Sequence, residues 1–378
     1  AYRDRLSPEE TLLLLCARRE LPAELQEEAG TLARTVDWEQ LVDLALQHRV
    51  GPMVHAALRK YLSGAVPDAA QARLRQDAIA ATQGNLVLLR ELLQLARQFS
   101  THGIRFAVFK GLAINQMVYR DLGIRKCGDI DLLVGRQDFA RTRAFLLADG
   151  FTPTLSDAAE RQCLQSGLWH AQRRMSIDLH WGIPPRELGI RSDRILERAT
   201  PLIISGQALP AFSAEDMLIL LCVNATKEYW NQLLYPYCDI REFLCSHPDL
   251  DLTALRRRAG ELHCERMVAA ALAIVAALFE SPAGVHAGAA DADRRVVREL
   301  LYQLFEPEEM EGKFISVHRR LYCFASTDDY FSALIDTPRR RLAYRFFYIP
   351  LRRIAPAAID ADEAPLPGHP VFLQPLST

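Results

Sequence analysis

The segment Gly128–Val134 constrains the fold more than any other part of the sequence, because it joins two carboxylates to an apolar run. It reads Gly-Asp-Ile-Asp-Leu-Leu-Val, and such a run of branched apolar residues favours a β-strand. Side chains two positions apart in a strand point to the same face, so Asp129 and Asp131 are expected to project together. Two carboxylates held this closely repel each other unless a cation lies between them. The segment therefore predicts a strand with a divalent metal site, of the kind that Mg²⁺ forms beside phosphates.

The composition is that of an ordinary globular protein. The chain has 378 residues, of which 49% are hydrophobic, and its formal net charge is −2. This length allows about two or three domains, and the near-neutral charge indicates no general affinity for nucleic acids or anionic membranes. The eight cysteines form no Cys-x-x-Cys pair, which favours a reducing compartment over a disulfide framework. Because the first residues are polar and no apolar run is long, we expect a soluble cytoplasmic protein without membrane insertion.

The apolar pattern divides the chain into four parts. Residues 1–100 and 211–354 show helical periodicity, whereas 101–210 alternates short β-branched runs with helices. The tail at 355–378 is rich in proline and is expected to be extended or disordered. We therefore predict an α+β fold, with a small mixed-sheet core between an N-terminal and a C-terminal helical domain. Strands are expected at 104–109, 128–134, 151–155, 169–172 and 175–181, followed by a hairpin at 200–210.

A strand-to-helix junction follows the first predicted strand of the core. Lys110 and Gly111 end a run of β-branched and aromatic residues and precede a helical stretch. A glycine at such a junction lets backbone amides approach a ligand, and a helix N-terminus favours an anion. The pair is therefore a candidate phosphate site, and it also fits a tight turn with a solvated lysine.

A third carboxylate lies on a later predicted strand. The segment Ser176–Trp181 reads Ser-Ile-Asp-Leu-His-Trp, and alternation places Asp178 and His180 on one face. A carboxylate within an apolar strand loses hydration free energy unless it is paired or binds a metal. If this strand lies beside the first acidic strand, Asp178 joins Asp129 and Asp131, and three carboxylates suit two metal ions about 3.5–4 Å apart. Because Mg²⁺ prefers oxygen ligands, we interpret the histidine as a hydrogen-bonding neighbour.

The order of these features resembles the nucleotidyltransferase superfamily with the DNA-polymerase-β-like fold. The shared order is Lys-Gly, then Asp-x-Asp on a strand, then a single Asp on a later strand. More closely, the sequence resembles a group of bacterial nucleotidyltransferase-like proteins often encoded beside genes for peptide natural products, lasso peptides among them. The matching residues are Phe-Lys-Gly-Leu-Ala at 109–113, Tyr119, Arg125, Gly-Asp-Ile-Asp-Leu-Leu-Val at 128–134 and Ile-Asp-Leu-His-Trp at 177–181.

The resemblance implies a metal-dependent reaction and a role for each aspartate. In the superfamily, the paired aspartates hold the metals and the third helps to activate the acceptor. Carried over, this implies that Asp129, Asp131 and Asp178 ligate Mg²⁺ or Mn²⁺ and that Asp178 acts as the base. The implied reaction moves a nucleoside monophosphate, with AMP from ATP favoured, to an acceptor hydroxyl or phosphate and releases pyrophosphate. The acceptor stays open among a peptide, a small molecule, a protein and RNA.

The triphosphate site departs from the superfamily pattern at one position. The superfamily's turn usually has Gly followed by Gly or by Ser, whose hydroxyl contacts a phosphate, whereas Leu112 follows Gly111 here. The resemblance implies that Lys110, Gly111 and Arg125 contact the triphosphate. The charged side chains of Lys110 and Arg125 would replace the contact of the missing hydroxyl. The departure also motivates a second hypothesis, a non-catalytic nucleotide-binding or scaffold protein that retains the fold.

Other features leave further alternatives open. Asp239 is either an acid near the cleft or, as the favoured interpretation, a carboxylate on a helix surface. The arginine-rich segment 339–353 fits a helix with inward aromatics, or a surface for RNA, an acidic peptide or a membrane. Asp-x-Asp also occurs in phosphatases with an aspartate nucleophile and in glycosyltransferases. Leu132 and Leu133, where the phosphatase pattern has a threonine, and the helical upstream region disfavour both.

Overall fold

The computed structural model of the chain describes residues 2–156, 160–161, 164–183, 190–227, 233–279 and 292–305, together with Val285 and Ala289. The predicted proline-rich tail at 355–378 and the arginine-rich segment at 339–353 lie outside the described residues. The predicted α+β class is confirmed, since helices precede and follow a mixed sheet. No helix within the described ranges is both long enough and apolar enough to cross a bilayer.

The described residues form thirteen α-helices and seven strands. The helices are α1 Pro8–Cys16, α2 Ala23–Leu32, α3 Trp38–Gln47, α4 Gly51–Tyr61, α5 Asp68–Thr101, α6 Gly111–Ile114, α7 Arg136–Ala148, α8 Ser192–Leu196, α9 Ala214–Lys227, α10 Tyr235–Ser246, α11 Leu252–Glu261, α12 Glu265–Leu278 and α13 Arg294–Phe305. A short 3-10 helix, Arg3–Arg5, precedes α1, and a π-helical turn, Asn115–Tyr119, continues α6. The strands are β1 Phe106–Val108, β2 Asp129–Val134, β3 Thr152–Pro153, β4 Gln165–His170, β5 Met175–His180, β6 Thr200–Ile204 and β7 Gln207–Ala211.

The seven strands form one sheet in the order β3-β4-β5-β2-β1-β7-β6. The central strand β2 is antiparallel to β1 and parallel to β5. Its apolar residues, Ile130 and Leu132 to Val134, are all buried. This is typical of a strand covered on both faces. The acidic segment therefore lies in the middle of the sheet, where its position is fixed from both sides. The domain limits after residues 100 and 210 remain a prediction.

Helix starts in the N-terminal region follow local capping chemistry. Ser7 Oγ accepts from the Glu10 amide while the Glu10 carboxylate accepts from the Ser7 amide, which confirms the predicted start of α1. Asp37 caps α3 by accepting from the amides of Glu39 and Gln40. Such caps stabilise a helix end by about 1 kcal/mol each.

The long helix α5 has the predicted apolar stripe, with one exception. Leu88, Leu92 and Leu95 are buried, but Leu86, expected in the same stripe, is 51% exposed. The expectation for Leu86 was wrong because two residues advance about 200° around a helix, so it faces away from Leu88. The buried stripe packs α5 against the rest of the core.

Two helices were not expected from the sequence, and one strand begins earlier than expected. Helix α2 had no clear sequence signal, because of its ten residues only Leu25 and Ala29 are buried. Helix α8 has only five residues, which is too short to show helical periodicity in the sequence. Strand β4 begins at Gln165 rather than at Trp169 and ends at His170, because pairing with β5 draws polar and small residues into the strand. Tertiary pairing here outweighs their low strand propensity.

Candidate active site

The register between β2 and β5 brings two of the predicted aspartates side by side. Asp131 and Asp178 are direct partners across the parallel strands, so the predicted adjacency of these strands is confirmed. Asp131 is buried, whereas Asp178 is partly exposed. One ligand atom from each of Asp131, Asp178 and His180 lies within 4.8 Å of the others. The sheet therefore gathers two carboxylates and an imidazole on one face.

Asp129, two residues before Asp131, is not part of the group whose ligand atoms lie within 4.8 Å of one another, but its charge interacts with both other carboxylates. Burial, together with the charges of Asp131 and Asp178, raises the pKa of Asp129 to about 7. Burial and Asp131 likewise raise the pKa of Asp178. Burial acts to raise the pKa of Asp131, but the charge of Lys110 leads the opposing effects, and the pKa lies well below its usual range. The cluster therefore carries one firmly ionised carboxylate and two that ionise reluctantly without a further cation.

Lys110 reaches into this cluster from the turn between β1 and α6. Its Nζ lies 3.1 Å from Asp131 Oδ1, and its side chain is largely buried. The alternative of a solvated lysine is therefore wrong. Its backbone has φ 51° and ψ −147°, a conformation that costs a non-glycine residue about 1–3 kcal/mol. The strained turn directs the ammonium group toward the carboxylates.

Gly111, the next residue, has a positive φ beside the acidic strand. Its φ is 24°, and a Cβ at this position would lie 3.5 Å from the backbone oxygen of Asp129. A side chain there would be strained by the positive φ. Leu112 is buried in the core, so this position supplies an apolar contact in place of a hydroxyl.

Two residues of β4 that sequence reasoning missed shape the surroundings of Asp178. Gln165 Nε2 donates to Asp178 Oδ2 at 2.8 Å. Gly167 is the direct strand partner of Asp178, and a Cβ on it would collide with the side chain of Thr154. Both were missed because β4 starts earlier than its composition indicates. They orient the carboxylate and leave room beside it.

Arg125 forms an ion pair with a carboxylate from the helical region that follows the sheet. Its Nε donates to both oxygens of Asp239, at 2.8 and 3.0 Å, and Tyr119 Oη donates to the same carboxylate at 2.8 Å. Asp239 is 1% exposed, so its interpretation as a helix-surface carboxylate was wrong: α10 turns this residue toward Arg125. That Arg125 contacts a triphosphate stays a prediction.

Asn85, also missed from the sequence, holds the loop that leads into β2. Its Nδ2 donates to the carbonyl oxygens of Leu122 and Arg125 at 2.7 Å each, and its Oδ1 accepts from the Cys127 amide at 3.0 Å. It is fully buried in the middle of α5. Asparagine is a poor helix former, and this break in the apolar stripe was the only available signal.

Replacing Asn85 tests how much it contributes to the stability of the fold. Asn85→Ala is expected to lower the free energy of unfolding by roughly 2–3 kcal/mol, because it leaves buried backbone groups without partners. Urea unfolding followed by circular dichroism measures the loss. The neighbouring exposed residue gives the control, since Gln83→Ala should change stability by less than about 0.5 kcal/mol. Equal effects of the two substitutions would contradict this role for Asn85.

Comparison with known proteins places this geometry in a family. No curated protein sequence matches the chain. Two solved structures are similar: an antigenic nucleotidyltransferase-like protein from Paracoccidioides brasiliensis, at 18% identity and a TM-score of 0.31 over 48% of this chain and 88% of that one, and the antibiotic-resistance factor ANT(2'')-Ia, at 16% identity and a TM-score of 0.33 over 47% of this chain and 94% of that one. A family model described as an uncharacterised nucleotidyltransferase matches residues 34–280, more than half of the chain. The chain therefore belongs to this nucleotidyltransferase family.

Proposed function

We propose that the protein is a divalent-metal-dependent nucleotidyltransferase. It moves a nucleoside monophosphate, with AMP from ATP favoured, to an acceptor hydroxyl or phosphate and releases pyrophosphate. The observation that carries the proposal is the direct pairing of Asp131 with Asp178 on parallel strands, in a chain that belongs to a nucleotidyltransferase family. Transfer at phosphorus demands positioning and charge stabilisation more than covalent chemistry, and carboxylates around a metal supply both.

The carboxylate cluster has the donor chemistry of a divalent metal site. Asp129, Asp131 and Asp178 would hold Mg²⁺ or Mn²⁺, since hard cations prefer carboxylate oxygens. When bound, the ion neutralises charge on the triphosphate and orients the reacting oxygens. Burial and mutual repulsion raise the pKa values of Asp129 and Asp178, and a cation between the carboxylates relieves that repulsion. This unfavourable ionisation supports the proposed fit.

The side chains around the proposed metal site are assigned separate roles in the transfer. Asp178 is the proposed base, because its raised pKa makes it a better proton acceptor than an ordinary aspartate. Gln165 fixes the orientation of that carboxylate. Lys110 and Gly111 are proposed to contact the triphosphate. The acceptor oxygen attacks the α-phosphorus, the bond to the β-phosphate breaks, and the acceptor proton passes to Asp178.

An in-line transfer assay tests the proposal. The protein is incubated with each common nucleoside triphosphate and with peptide, small-molecule, protein and RNA acceptors, and products are read by mass shift. We expect a metal-dependent gain of one nucleoside monophosphate, lost in Asp178→Asn and retained in Asp43→Asn, which changes an exposed aspartate of α3. Unchanged transfer in Asp178→Asn, or a gain of phosphate alone, would overturn the proposal.

The second hypothesis is a nucleotide-binding scaffold without catalysis, and one observation favours it. Leu112 is buried and supplies no hydroxyl where the superfamily's turn often carries one. Calorimetry distinguishes the two hypotheses. Binding of a nucleoside triphosphate that is independent of divalent metal and gives no product with any acceptor would support the scaffold.

Metal binding should depend on pH through Asp129. Its pKa is raised by burial and by the neighbouring carboxylates to about 7, so below this pH a proton competes with the metal. We expect the affinity for Mn²⁺ to fall by up to about tenfold for each pH unit below 7 and to level off above about pH 8. Calorimetric titration between about pH 5.5 and 8.5 measures this, since an ordinary aspartate with a pKa of about 3.9 would give a flat profile. A flat profile would contradict the expectation.

A further inference from the structure

His180 is a fully buried histidine whose ring nitrogens have unused hydrogen-bonding capacity. Its side chain is 0% exposed, and neither nitrogen has a hydrogen-bond partner among the residues that the structure describes. An unsatisfied buried polar atom costs about 1–3 kcal/mol, so such an atom in a native fold demands an explanation. A ligand that binds to the ring provides one.

The position of the ring points to the carboxylate cluster. His180 follows Asp178 by two residues in β5 and therefore lies on the same face. Its Nε2 is 3.3 Å from Asp131 Oδ1. A ligand atom from each of these three residues lies within 4.8 Å of the other two. Ligands bound at about 2.0–2.2 Å from one ion have separations within this range.

A hydrogen bond to Asp131 does not account for the ring. The 3.3 Å approach lacks hydrogen-bond alignment, since Nε2 stays without a partner. The ring is held instead by packing, with its edge toward Phe109 at a centroid distance of 4.9 Å.

We propose that His180 is a nitrogen ligand of the metal ion held by Asp131 and Asp178, and that the site therefore prefers a first-row transition ion such as Mn²⁺ to Mg²⁺. Mg²⁺ takes oxygen ligands and dehydrates reluctantly, whereas imidazole strengthens the binding of transition metals. The inference rests on the metal site of the proposed function. It goes beyond that function by adding a ligand and by fixing the class of metal.

Pulsed electron paramagnetic resonance of the Mn²⁺-loaded protein tests the nitrogen ligand directly. We expect electron-spin-echo modulation from a coordinated ¹⁴N nucleus, replaced by ¹⁵N couplings when the protein is produced with ¹⁵N-labelled histidine. This comparison needs no variant, so its outcome does not depend on how a substitution folds. Bound Mn²⁺ without nitrogen modulation would overturn the proposal.

Calorimetry tests the metal preference. His180→Gln is expected to lower the affinity for Mn²⁺ by at least about tenfold while changing that for Mg²⁺ by less than about threefold. His170→Gln is the matched control, because His170 is buried at the end of β4 and contacts the Asp149 carbonyl oxygen. Equal losses for both metals in His180→Gln would count against the nitrogen ligand.

The failure of this inference is distinguishable from failure of the proposed function. If neither Mn²⁺ nor Mg²⁺ binds the wild-type protein, or if Asp131→Asn binds both metals like the wild type, the metal site itself is wrong. If the metals bind through Asp131 but no nitrogen coupling appears, only the role of His180 falls.

Discussion

Asp131→Asn is expected to lower kcat/KM for nucleotidyl transfer by at least about 10³-fold, which is the upper range for removing one electrostatic group from an active site. Asp131 is the most firmly ionised carboxylate of the cluster, because the charge of Lys110 opposes the effect of burial and its pKa lies well below the usual range. An asparagine keeps the shape but not the charge that attracts a cation. Transfer of label from a nucleoside triphosphate, measured at saturating metal, gives the loss.

The same substitution should leave the fold intact. Lys110 loses its closest partner, at 3.1 Å, but Asp129 and Asp178 still act on its charge. Circular dichroism and thermal unfolding check this, and Asp43→Asn on the surface of α3 provides the isosteric control. Activity within about tenfold of the wild type in a folded Asp131→Asn would rule out the proposed site.

Asp239→Leu is expected to destabilise the protein by about 3–5 kcal/mol, the usual cost of leaving one member of a buried ion pair without its partner. Arg125 and Asp239 are 10% and 1% exposed at the side chain and 2.8 Å apart. The substitution leaves a buried guanidinium uncompensated and also removes the acceptor of Tyr119 Oη. Urea unfolding of the purified variant measures the loss.

A double-mutant cycle separates the ion pair from the effect of packing. Arg125→Leu/Asp239→Leu removes both charges and should be more stable than Asp239→Leu by about 2 kcal/mol or more. The exposed pair Arg73–Asp43 has a similar distance, 2.7 Å, and Asp43→Ala should cost less than about 1 kcal/mol. Strict additivity at Arg125 and Asp239, or similar costs at the buried and exposed pairs, would contradict the expectation.

The part of the site that follows from local periodicity was predictable. Alternation along the two strands predicted Asp129 and Asp131 on one face and Asp178 with His180 on one face, and the parallel pairing brings Asp131 beside Asp178. The turn at Lys110 and Gly111 followed from the predicted junction of a strand with a helix. In each case the signal lies within a few consecutive residues.

The part that depends on distant partners was not predictable. Asp239 is 114 residues from Arg125 in the sequence, and nothing near it in the chain indicates that it is buried. Asn85 forms hydrogen bonds to backbone groups 37 to 42 residues further along the chain. A single polar residue within a helix does not indicate such partners. Gln165 lies in a strand formed by pairing rather than by composition. Burial set by tertiary contacts leaves little trace in local sequence.

The alternation in β5 links the integrity of the fold to the accuracy of the site. Ile177 and Leu179 are fully buried, while Asp178 lies between them on the opposite face. A slip of one residue against β2 would turn the aspartate away and bring the two apolar side chains out of the core. The burial of the hydrophobic face therefore fixes the register that aligns the carboxylates. A chain that misaligns its carboxylates also fails to bury its core.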